Sequence, residues 1–146
     1  MKLDMLVATG ALLVVCAAPA RGADWDHDAN IEAAVGAVVA SYRQGGPAEM
    51  ERVVGACYGG ITDSGDTDEQ VQRLESCAGM DFAAFLIDRR DAEQLGRERS
   101  AFFAAEKIMG RVERLGDWYH NPGVETQIIR AWSRSAVEAL ERSGLF

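Results

Sequence analysis

The chain is poor in the residues and motifs that most catalytic signatures need. It has two histidines, His27 and His120, and no Glu-x-x-His pair, which excludes the helical carboxylate metal centres built from that pair. No G-x-S-x-G, C-x-x-C-H, S-x-x-K or H-E-x-x-H run occurs, so the nucleophile and zinc chemistries those runs carry have no footing here. A glycine-rich phosphate loop leading from a strand into a helix is also missing. Strand-period alternation appears only in short fragments, and there is no internal repeat or low-complexity tract. These absences lead us to expect no enzyme and no cofactor.

Positive charge is scarce as well. Fifteen Lys and Arg stand against 23 Asp and Glu, a net charge of −8. Such a field repels phosphate backbones and argues against nucleic acid as a partner, while it favours a cationic protein partner or plain solubility.

Long apolar runs are confined to the start. MKLDMLVATGALLVVCAAPARGA has a lysine at position 2, an apolar core from Met5 to Ala18, then Pro19 and small residues. This is the layout of a secretory signal peptide over 1–23, with cleavage between 20 and 23. The run falls short of the roughly 18 to 20 residues a spanning helix requires. Removal of 1–23 would leave 13 basic and 22 acidic residues. The expected destination is the periplasm or the exterior, with no membrane span after signal removal.

Cysteine is the last scarcity. Outside the first twenty residues only Cys57 and Cys77 occur. An oxidising compartment and an even pair predict one disulfide, Cys57–Cys77, closing about 20 residues and contributing roughly 3 kcal/mol in the chain-entropy model. Their separation does not fit the C-x-x-C spacing of a redox pair.

What is present is helical periodicity. Residues 24–29, DWDHDA, read as a mobile mature N-terminus, followed by a single domain over 30–146. Asn30 or Asp28 caps a first helix with Ile31, Val35, Val38, Val39 and Tyr42 on one face, and Gly45-Gly46 stops it. Pro47 suits the first turn of a short second helix, which ends at Gly59-Gly60. Thr67 with Gln70, or Asp66 with Glu69, makes a capping box for a long third helix. Val71, Leu74, Ala78, Phe82 and Phe85 stripe that helix, and Gly96 closes it. A fourth helix is predicted over about 98–115 on Phe102, Ala105, Met109, Val112 and Leu115. Asn121 then caps a fifth, with Val124, Ile128, Trp132, Ala136, Ala139 and Leu140 on one face and Gly144 at its end. The fold class is therefore all-α, a small antiparallel bundle of four to five helices with one disulfide.

Few residues within this frame suggest chemistry. Asp63, Asp66 and Asp68 crowd the loop between the cysteines, but neither EF-hand register places its glycine and glutamate correctly; weak calcium binding competes there with helix capping. Asp81 and Asp88 project from nearly one side of the third helix. They suit acid–base or metal work in a small enzyme, or ion pairs with arginines, which base rates favour. Trp118, Tyr119 and His120 form a recognition turn or an aromatic plug at the end of the bundle. Trp25 and His27 offer a metal-binding alternative to a free tail.

LESCAGMDFAAFLIDRR, residues 74–90, resembles a stretch of the small bacterial lysozyme-inhibitor domains over at most a third of the mature chain. The later cysteine and the W-x-x-x-R-D run of that family do not occur here. The resemblance implies an inhibitor of a cationic hydrolase such as lysozyme. The residues by themselves predict an exported, acidic, helical, non-enzymatic interaction module.

Overall fold

A computed structural model describes residues 25–62, 67–113 and 122–145. Residues 1–23, expected to be a signal peptide, Asp63 and Asp66 between the cysteines, and Trp118, Tyr119 and His120 lie outside them. The described chain is helical: α1 His27–Gly59, α2 Asp68–Leu95, a 3-10 turn Ala101–Phe103, α3 Ala105–Val112 and α4 Pro122–Arg142.

The expected break within α1 is real, although the helical bonding pattern runs across it. Gly45 adopts φ −150° and ψ 15°, and Gly46 φ 64° and ψ −153°, a region essentially reserved for glycine. The chain therefore doubles back. In the limb 27–44, Asn30 meets Glu75 and Tyr42 meets Asp91, so this limb ascends alongside α2. In the limb 47–59, Glu51 reaches Ser100 and Cys57 reaches Cys77, so this limb descends. Pairing of Ser100 with Asp88 and of Arg111 with Asp81 runs the α3 strap downward. Pairing of Asp28 with Ser135 and of Glu32 with Arg142 carries α4 upward. The result is an up-down-up-down-up bundle in which consecutive segments are antiparallel.

Local chemistry accounts for the ends of these helices. Asp26, extended at φ −76° and ψ 105°, accepts a bond from Ala29 N, so α1 starts ahead of the expected Asn30 or Asp28 cap. Asn30 is drawn away from capping because its amide is spent on α2. Thr67 caps α2 through Gln70 N, as its spacing predicts, and Gly96 ends it in the left-handed region at φ 64°. No helix among the described residues is long and apolar enough to cross a membrane.

The fourth predicted helix needs correction. Ser100 caps a separate 3-10 turn, and Ala104 is extended at φ −64° and ψ 140° before α3 begins. Phe103 is fully buried, and Ile108 and Val112 face inward while Met109 is exposed. Val112 is buried as the stripe predicts, whereas Phe103 and Ile108 are buried in place of Phe102 and Met109. Tertiary ties override the propensity: Ser100 N donates to Asp88, and Arg111 donates to the Phe102 carbonyl.

Helix α2 sits centrally, touching every other element. Leu74, Ala78, Ala83 and Ala84 are fully buried in it, against Val38, Met50 and Val54 of α1 and Ala136 of α4. Such apolar burial supplies the main driving force for a domain of this size. The disulfide joins the descending limb of α1 to the third turn of α2, with Cα atoms 5.5 Å apart.

Candidate functional site: a cleft beside a buried glutamate

Glu75 lies in the second turn of α2, in step with Val71 and Ala78, and is fully buried. A carboxylate removed from water requires donors, and three side chains of the chain's start supply them. Trp25 Nε1 donates at 2.7 Å and Asn30 Nδ2 at 2.7 Å, both to Oε2, while His27 Nδ1 lies 2.5 Å from Oε1. Asn30 is oriented in turn, donating to the Gln72 carbonyl and accepting from Ser76 Oγ. The residues expected to form a free terminus thus supply Trp25 and His27 to a buried cluster, their rings 5.2 Å apart.

A carboxylate oxygen at that distance receives the Nδ1 hydrogen of His27. Half of the His27 side chain remains accessible. It stands at the rim of a cleft of about 280 Å³ between the starts of α1 and α2 and the facing side of α4. Ile31, Val71, Ile128 and Trp132 make the apolar walls. Asp28 completes the rim, accepting from Ser135 Oγ at 2.8 Å.

The other carboxylates of α2 are closed. Asp81 is fully buried and receives Arg111 Nε at 2.7 Å and Nη2 at 2.8 Å. Burial pushes its carboxyl up, against the opposing pull of Arg111. The same guanidinium lies over the Phe102 ring at 4.2 Å. Tyr58 presents its hydroxyl to this pair without reaching hydrogen-bond geometry, and burial, with the Asp81 charge, pushes it well above the ordinary tyrosine value. Asp88, fully buried, takes Arg97 Nη2 at 2.8 Å and Ser100 N at 3.1 Å. Asp91 accepts from Tyr42 and from Arg97. The Tyr42 bond holds the Asp91 carboxyl below the usual range, and the same bond raises Tyr42.

Asp81 and Asp88 are therefore ion-paired to different arginines, each with its hydrogen-bonding edge occupied, rather than joined around a common cleft. Asp68 is an exposed first residue of α2. Among the described residues no group of three or more His, Cys, Asp or Glu is arranged to hold a metal ion. Sequence reading missed Glu75, although a carboxylate in the middle of the stripe Val71–Leu74–Ala78 was a visible signal of a buried polar cluster.

Fold and cleft together define an acidic all-helical bundle with one structural disulfide. No protein-family profile, curated protein or solved structure matches the chain.

Proposed function

We propose that this is an exported, non-enzymatic binding module whose partner is cationic and is met at the end of the bundle where α1 and α2 begin. The observation that carries the reading is the cleft. It combines apolar walls with a rim of His27 and Asp28, and no lysine or arginine lines it among the described residues. Binding clefts are built in this way, as a largely apolar cavity with a few placed polar groups. The closure of Asp81, Asp88 and Asp91 by arginines and by Tyr42 supports binding over acid–base catalysis. The net charge of −8 would speed encounter with a basic partner, and a cationic hydrolase is one partner of that kind.

The test is affinity capture from periplasmic extract, using the mature protein tagged at its C-terminus, at the other end of the bundle. We expect a basic partner that is released at high salt and is not captured when the cleft is filled by Ala131→Trp. Capture that is unaffected by Ala131→Trp and by salt would overturn the reading.

A further inference from the structure

We propose that the cleft is a site for small organic amines, a protonated nitrogen on an apolar stem; the inference rests on the reading of this cleft as a binding site. A volume of about 280 Å³ equals some nine water molecules at ~30 Å³ each. That suits an aryl or short alkyl group rather than a lipid chain or a folded segment. Ile31, Val71, Ile128 and Trp132 receive the stem. At the rim, His27 has its Nδ1 committed to Glu75, and Asp28 supplies the carboxylate. The exposed Asp28 carboxylate has only the neutral Ser135 hydroxyl and no cation as partner among the described residues.

Helix starts ordinarily favour anions, since each carries roughly half a positive charge, and α1 and α2 begin at this end. Here they are over-compensated. Asp26 caps α1, and Asp28, Asp68 and Glu69 occupy the first turns of these two helices. Four full negative charges meet two half charges, with the buried Glu75 behind them. Capping side chains also occupy the amides of Ala29 and Gln70, which removes donors an anion would use. The field at the rim therefore selects a cation, and the walls select an apolar stem.

The experiment titrates the mature, disulfide-bonded protein with phenethylamine and hexylamine by heteronuclear NMR. Hexan-1-ol and hexanoate serve as stem-matched controls. Both amines are expected to shift amide signals of residues around Ile31, Val71 and Trp132. The alcohol should bind at least about tenfold more weakly, the loss expected when a charge-assisted hydrogen bond is replaced by a neutral one. Asp28→Asn, which keeps an acceptor for Ser135 and leaves the Asp26 cap intact, should weaken the amines several-fold and leave the alcohol unchanged. Ala131→Trp should abolish all binding. Equal affinity for hexan-1-ol and hexylamine, tighter binding of hexanoate, or no shift with any probe overturns the amine assignment. If Ala131→Trp nevertheless abolishes partner capture, the broader binding reading survives that failure; if capture also persists, both fall.

Discussion

Glu75 shows what one buried carboxylate organises. Three donors from residues 25–30 converge on it, so removing the acceptor strands an indole N–H, an imidazole N–H and an amide at once. Glu75→Leu is expected to cost about 3 kcal/mol, the scale of leaving buried donors unpaired, measured as a shift of the denaturant midpoint. Loss of the near-ultraviolet signal of Trp25 should accompany it. A variant with unchanged stability would show that these contacts do not hold the start of α1. Asp91 carries a different, pH-dependent consequence. Its carboxyl is lowered in the folded state, first by the Tyr42 bond. Its contribution is therefore present above the unfolded value of about 3.9 and is lost as pH falls through that value and below it. Asp91→Asn should lower the melting temperature at pH 7 and flatten its fall between pH 5 and 3. Asp81 has the opposite sign, being raised by burial, so its protonation opposes acid unfolding as pH falls.

The helices record which local signals outlast tertiary context. Gly45-Gly46, the Thr67–Gln70 cap and Gly96 were legible because their roles depend on backbone geometry close by in sequence. The Ala101–Phe103 turn was not, since it exists to satisfy Asp88 and Arg111 across long sequence distances. Nor was the cluster around Glu75, whose members are separated by 45 to 50 residues; one sequence carries apolar periodicity but not the pairing of polar side chains. Two glycine substitutions separate backbone strain from helix propensity. Gly46→Ala forces a side chain into φ 64°, ψ −153° and should cost about 1–3 kcal/mol. Gly36, by contrast, is exposed within α1 with open space where a Cβ would stand. Gly36→Ala should therefore stabilise by about 0.5–1 kcal/mol. Thermal melts of the two variants would show opposite shifts, and shifts of the same sign would contradict the turn geometry.

For the whole molecule, the bundle order was readable from the sequence while the location of the cleft was not. The stripes predicted which faces turn inward, and short connections predicted antiparallel neighbours. The cleft needed the starts of α1 and α2 to be brought beside α4, which no local pattern encodes. The single cross-link acts on the unfolded ensemble of the entire chain. Replacing both cysteines by serine should reduce stability by about 3 kcal/mol, and a thiol assay under denaturing, non-reducing conditions should find no free thiol at Cys57 or Cys77. Two reactive thiols there would show that the pair is not joined in the native protein.

That same bond has a topological consequence. Cys57 and Cys77 bracket the whole connection between the descending limb of α1 and α2. A single peptide-bond cleavage between residues 58 and 76 therefore yields two chains that are still one molecule. The nicked protein would migrate as a single species until a reductant is added, then separate into two fragments. Hydrolysis in this connection becomes an event without dissociation, and the bundle can be cut there without coming apart.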